Sequence, residues 1–269
     1  MKWALLTPAV VLCVLFMVWP LVEVVRLSLM ATNFITSEFV GLRNFARIFS
    51  DSVFTRSIVN SAWYILLTTP LRVGSALLIV LAVMNLPKRW HDGARFALYI
   101  PCLCGGIIIA AIWRWVFHFN GPVNGLLGLE IQWFNSGLTA IPAISIMCVA
   151  ATLGSVVILL LAAVLTIDPE LYDAARIDGA SPRQIKWRIV VPLIMPMVWL
   201  MVLLSMISGP QIFEYIWALA PAEHSASMTF YVFTTAFQAS NHGRAAAAAI
   251  VLLVLMLGLA WGKGRITKS

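Results

Sequence analysis

Six stretches of the chain, at residues 3–25, 59–84, 96–117, 141–167, 195–220 and 245–261, are long, apolar and almost free of charge. About 20 apolar residues carry a helix across a bilayer, so each stretch predicts a membrane span. Of the whole sequence, 61% is hydrophobic, only 11% is charged and the mean hydropathy is +0.94. Soluble domains run closer to about 45–50% apolar and about 25% charged. A water-soluble globule, a disordered chain and a disulfide scaffold are excluded on these grounds. The first stretch follows Lys2 as a secretory signal would, but it is too long for a signal core and no small-residue cleavage site follows promptly. It is expected to be an uncleaved span, in a single membrane domain covering 1–269. The expected fold class is all-α, with six transmembrane helices.

The net charge of +7 reflects topology rather than nucleic acid. Lysine and arginine lie in short segments between apolar runs. Placing both termini in the cytoplasm puts eleven of the 18 on the inner side and six on the outer side. Arg72 alone falls deep within a span, Arg114 at the end of the third being counted with the outer side. Trp3, Trp90, Trp187 and Trp261 fall near inner boundaries, while Trp19, Trp115, Trp133 and Trp217 fall near outer ones. The small residues 245–249 would let the last helix approach a neighbour closely, or they simply favour helix.

The cytoplasmic loop at 167–196 carries the densest local signals. Asp168 is a suitable N-cap, Pro169 suits the first helical turn and Glu170 complements the helix N-terminus. A helix of about ten residues should reach Asp178 and stop at Gly179, which can adopt a left-handed conformation. Ser181, Pro182 and Gln184 then give the spacing of a capping box for a second helix. Leu171, Ala174 and Asp178 share one face, Tyr172 and Ala175 lie beside them, and the two alanines leave the helix thin enough for close docking. Arg183, Lys186 and Arg188 place positive charge near lipid headgroups. On capping alone, an amphipathic connector lying on the membrane fits equally well.

Within the spans, Arg72 follows Pro70, and Glu214 follows the Gly209-Pro210 break. Charge in the hydrocarbon is expensive and marks pathways, although the two residues could instead form a structural ion pair or reach interfacial water. A break at Pro210 can leave backbone carbonyls facing a cavity. Ser208, Gln211, Glu214 and Tyr215 have helical spacing, and Tyr215 and Trp217 offer rings for the apolar faces of a hydroxyl-rich substrate. These six residues, with Arg72 included, are the candidates for a substrate path.

Several chemistries find no support. No phosphate-binding G-x-x-x-x-G-K-[ST] occurs, since Gly258, Gly262 and Gly264 around Lys263 have the wrong spacing. Cys13, Cys102, Cys104 and Cys148 lie in apolar runs without a C-x-x-C. His91, His118, His224 and His242 are scattered and form no metal-binding motif. No cofactor, metal or catalytic activity is therefore expected in this chain, and energy must come from a partner or an ion gradient.

The residues Tyr172-Asp-Ala-Ala175, Gly179 and Pro192, within DPELYDAARIDGAS, resemble the E-A-A…G…L-P loop of bacterial ABC-importer permeases of the carbohydrate type. This type is related to the maltose and glycerol-phosphate transporters. Asp173 stands where that family usually has Glu, and Val191 stands where it usually has Leu. FVGLRNFARIF (39–49), FEYIWAL (213–219) and MTFYVFTTAFQASNHGRAAAAA (228–249) are similar to other segments of the same family.

The resemblance implies a type I importer permease in a bacterial inner membrane, moving a sugar, polyol or sugar-phosphate-like solute. Its first loop helix would be a coupling helix, with Leu171, Tyr172, Asp173, Ala174, Ala175, Asp178 and Gly179 meeting a cytosolic ATPase dimer that binds ATP and Mg. Asp173 would accept hydrogen bonds from the ATPase or the neighbouring loop. The other implied partners are an extracytoplasmic solute-binding protein and a second, non-identical permease. The alternative is an ion-gradient-driven transporter or channel using Arg72 and Glu214 as a relay.

Overall fold

The computed structural model describes residues 2–32, 37–219 and 222–266. Ala220, at the expected end of the fifth span, and Lys268, counted among the inner charges, lie outside them. Among the described residues, five helices are long and apolar enough to cross a membrane: Thr7–Ser28 (span 1), Ser52–Val83 (span 2), Gly137–Leu165 (span 4), Pro182–Gln211 (span 5) and His242–Trp261 (span 6). Span 3 differs from the single straight helix expected over 96–117. It consists of Asp92–Leu103 and Gly106–Val116, bent by 96°.

The reason for the bend is local. Pro101 lies in the last turn of the first half, and Cys104 and Gly105 adopt extended backbone before the helix restarts at Gly106. Proline removes a helical donor and crowds the turn before it. The two following glycines lower the cost of leaving the helix. Hydropathy reads straight through such a break because the break changes direction and not polarity.

A second departure from an all-helical chain is the antiparallel hairpin of Met30–Thr32 and Ser37–Phe39, after span 1. Asn44, in the short helix Arg43–Phe49, donates from its amide to the carbonyls of Ser28 and Met30, both at 2.9 Å. This connection is pressed against the start of span 6. A Cβ on Gly243 would lie 2.0 Å from the Met30 carbonyl oxygen, so glycine permits the approach.

Span 2 is the central post. Asp51 caps it by accepting from the Val53 amide at 2.8 Å, and the same carboxylate accepts from the Tyr231 hydroxyl at 2.8 Å. The main core joins spans 2, 4 and 5 through Val73, Ala76, Val80, Val157, Leu160, Val190 and Ile194. Small residues let the helices close up. A Cβ on Gly154 would sit 2.0 Å from the Leu98 carbonyl oxygen in the first half of span 3, and one on Gly209 would sit 2.7 Å from the Ile65 side chain in span 2. With lipid outside as apolar as the core, such close packing supplies much of the association between spans. Span 1 touches the bundle mainly through Trp19–Ser28 against span 6, and residues 7–22 are exposed.

Replacing Gly154 by Val should separate span 4 from the Leu98 backbone. The expected cost is about 1–3 kcal/mol, read as a lower unfolding temperature of the purified protein in detergent, whereas Gly258→Ala, with open space around its Cα, should leave it unchanged.

Candidate functional site

The caps and the glycine turn form as the sequence predicts, but the second helix is not a separate loop helix: it is the start of span 5, Pro182–Gln211, which begins well before the expected 195. Asp168 Oδ1 accepts from the Glu170 amide at 2.9 Å, and the helix runs Pro169–Ile177. Its end is a left-handed cap: Gly179 has φ +76°, its amide donates to the Arg176 carbonyl at 3.0 Å, and the Ala180 amide reaches the Ala175 carbonyl at 2.9 Å. The capping box is complete, with Gln184 N–H donating to Ser181 Oγ at 3.3 Å and Ser181 N–H donating to Gln184 Oε1 at 2.7 Å. An N-cap of this kind is worth about 1 kcal/mol. Together these caps fix both helices and the turn between them.

The loop helix has two faces. Ala175 is buried and Tyr172 partly so; both pack on the core of spans 2, 4 and 5, and burial pushes the Tyr172 phenol above its ordinary value. Leu171, Ala174, Ile177 and Asp178 are exposed, Ile177 at 87%. The expectation that both alanines thin the helix for a partner is thus corrected for Ala175, whose small side chain seats the helix on its own bundle. Asp173 forms an exposed ion pair with Arg176 at 2.9 Å along its own helix. Lys186 lies against the end of span 2, donating to the Leu81 carbonyl at 2.7 Å and to Asn85 Oδ1. A cation there complements the negative end of the helix.

The substrate-path candidates do not share one helical face. Span 5 ends in the 3-10 turn Gly209–Gln211, Ile212 is extended, and a new helix, Glu214–Leu219, begins after it. Two carbonyls at the break are taken by hydroxyls rather than turned to a cavity. Thr229 donates to the Pro210 carbonyl at 2.9 Å, and Ser227 donates to the Ile212 carbonyl at 2.5 Å. Ser208 faces Arg72, donating to the Ser205 carbonyl at 2.8 Å. Gln211 is exposed and reaches Met256 Sδ in span 6 at 3.5 Å.

Glu214 lies against the restart of span 3. A Cβ on Gly106 would lie 1.7 Å from Glu214 Oε2, so the carboxylate occupies the space of the missing side chain. This places a negative group beside the positive end of the helix Gly106–Val116, where it is favoured by about 0.3–1 kcal/mol. Arg72 takes no part in this arrangement. Among the described residues no ion pair joins it to Glu214, and its guanidinium is instead bonded to Ser208 Oγ at 2.8 Å and Cys148 Sγ at 3.2 Å.

Trp217 is half exposed and belongs to an aromatic group that sequence reasoning missed. Its ring centroid is 6.1 Å from Phe213 and 5.3 Å from Phe233, which in turn lies 5.0 Å from Phe237. The signal was present: Phe230, Phe233 and Phe237 recur at three- and four-residue spacing, the repeat of one helix face. Tyr215 turns the other way and packs with Ala110, Phe117 and Met147. The exposed Glu214 carboxylate and the open rings of Trp217 and Phe237 are of the kinds that suit a polyhydroxylated ligand, with hydrogen bonds at a carboxylate and ring contacts for C–H faces.

The chain belongs to the family of binding-protein-dependent transport system inner membrane components, which it matches over residues 45–266. It is similar to the lactose transport system permease protein LacF of Rhizobium radiobacter, with 25% identity over 96% of this chain and 90% of that one. It is also similar to the sulfoquinovosyl glycerol transport system permease protein SmoG of Agrobacterium fabrum, with 29% identity over 94% and 85%. The fold matches a chain of the bacterial alginate ABC transporter crystallised with an alginate pentasaccharide-bound periplasmic protein. That match has a TM-score of 0.83 and 23% identity, and it covers 100% of this chain and 95% of the other.

Gly106→Ala should push the Glu214 carboxylate off the helix start and lower transport at least tenfold while Tm changes little. The same uptake assay on Glu214→Gln, which keeps the shape and removes the charge, should show a smaller loss. Equal uptake by wild type and both variants would place Glu214 outside the path.

Proposed function

We propose that this chain is one of two permease subunits of an ATP-driven importer for a sugar or a sugar-like solute. Family membership gives the inner-membrane transport component, and the sugar cargo is carried over from the relatives' names. Both termini and the 168–190 loop face the cytoplasm, as the bias of lysine and arginine supports. A cytosolic ATPase dimer binds ATP and Mg, an extracytoplasmic binding protein delivers the cargo, and a related but non-identical permease completes the path.

The observation that carries this reading is the capped loop helix, exposed at Leu171, Ala174 and Asp178 and rooted through Ala175 in the core of spans 2, 4 and 5. Force on its outer face passes to three spans at once, because a rigid element seated in a packed core moves with it. An ATPase that closes on nucleotide would thereby open the path outward, and hydrolysis would reset it. The ion-gradient alternative needs Arg72 and Glu214 to exchange protons or ions, whereas each has its own separate surroundings.

In proteoliposomes, uptake should require ATP, the ATPase and the binding protein, and an ion gradient alone should give none. Leu171→Asp and Ala174→Glu should weaken ATPase association at least tenfold, as loss of a buried anchor does, with the unfolding temperature preserved. Full association of both variants would refute the docking role.

A further inference from the structure

Span 2 carries a positive charge into the interior without an acid to balance it. Arg72 is 6% exposed, and among the described residues it enters no ion pair. Arginine does not relieve such burial by losing its proton, and an uncompensated buried charge is strongly unfavourable. Ser208 Oγ and Cys148 Sγ accept from its two terminal nitrogens but bring no negative charge of their own.

The same junction holds further unmet donors. Arg72 Nε, Thr69 Oγ1 and Ser205 Oγ are buried and have no hydrogen-bond partner. Thr69 and Ser205 are 8% and 1% exposed. Thr69 precedes Arg72 by one helical turn on span 2, and Ser205 precedes Ser208 by one turn on span 5. The 2.8 Å bond from Arg72 to Ser208 brings these two turns face to face. Glu214, the acid just beyond span 5, is set against Gly106.

We propose that Thr69, Arg72 and Ser205 form a binding site for one compact anion between spans 2 and 5. A water molecule would satisfy the donors and leave the charge unbalanced, whereas an anion satisfies both. Two sources share this chemistry: a resident halide such as chloride, or the carboxylate or sulfonate of an acidic sugar in transit. The second source rests on the sugar-importer reading above, and the first does not.

The complete transporter in nanodiscs, washed into sulfate buffer, would be titrated with chloride and, separately, with a hexuronate against the neutral hexose. A saturable, chloride-dependent rise in unfolding temperature, with anomalous density beside Arg72 Nε in crystals of the same transporter grown with bromide, identifies a resident halide. Stabilisation by the hexuronate alone, absent with the hexose, identifies the cargo's acid group. In either case Arg72→Gln should abolish the effect, and Thr69→Val and Ser205→Ala should each weaken affinity by about tenfold, the worth of one hydrogen bond to a charged group. If Arg72→Gln does not assemble, these two milder variants decide. No saturable response to chloride or hexuronate, or a response unchanged in Thr69→Val and Ser205→Ala, overturns the site. Failure of ATP-driven sugar uptake with an intact chloride response would refute only the transport reading.

Discussion

Hydrocarbon offers no partner to a backbone N–H or C=O, so every peptide group inside the membrane must be satisfied within the protein. That constraint makes the chain helical, and it explains where the helices are allowed to fail. Span 5 breaks at Gly209-Pro210, and its freed carbonyls are taken by the hydroxyls of Thr229 and Ser227 from the segment before span 6. That segment is itself tied to span 2 by Asn60, which donates to the carbonyls of His224 and Ala226, and by Tyr64, which donates to Ser225. A break in one helix thus recruits a loop, and the loop is held by a second helix. The aromatic group around Trp217 and the helix bearing Glu214 are positioned by this chain of dependence.

What could be read from the sequence was local. The caps at Asp168 and Ser181 and the turn at Gly179 depend on residues within four positions of one another, and their types declare the geometry. Apolar runs likewise announce spans. The bend in span 3 was less legible because Pro101 and Gly105-Gly106 lie in an unbroken apolar run. The polar face expected of Ser208, Gln211, Glu214 and Tyr215 assumed a helix continuing through Pro210, and the chain turns there instead.

Long-range partnership was out of reach for another reason. Arg72 and Ser208 are 136 residues apart, and Gly106 meets Glu214 through a side chain that glycine lacks. No periodicity encodes either contact. Ala175 illustrates the ambiguity of small residues: an alanine permits close approach, but its position alone does not tell whether the neighbour is another protein or the same chain. Only the packing of spans 2, 4 and 5 decides that it faces inward.

The two faces of the Pro169–Ile177 helix have a mechanical consequence. Its inner face is seated on the core through Ala175 and Tyr172, its far end stops at the Gly179 turn, and Lys186, at the start of span 5, ties that turn's neighbour to the end of span 2. A displacement imposed at Leu171 would then reach Val80, Val157 and Ile194 as a shift of whole helices, and its gain would be set by lever length rather than by the softness of a joint.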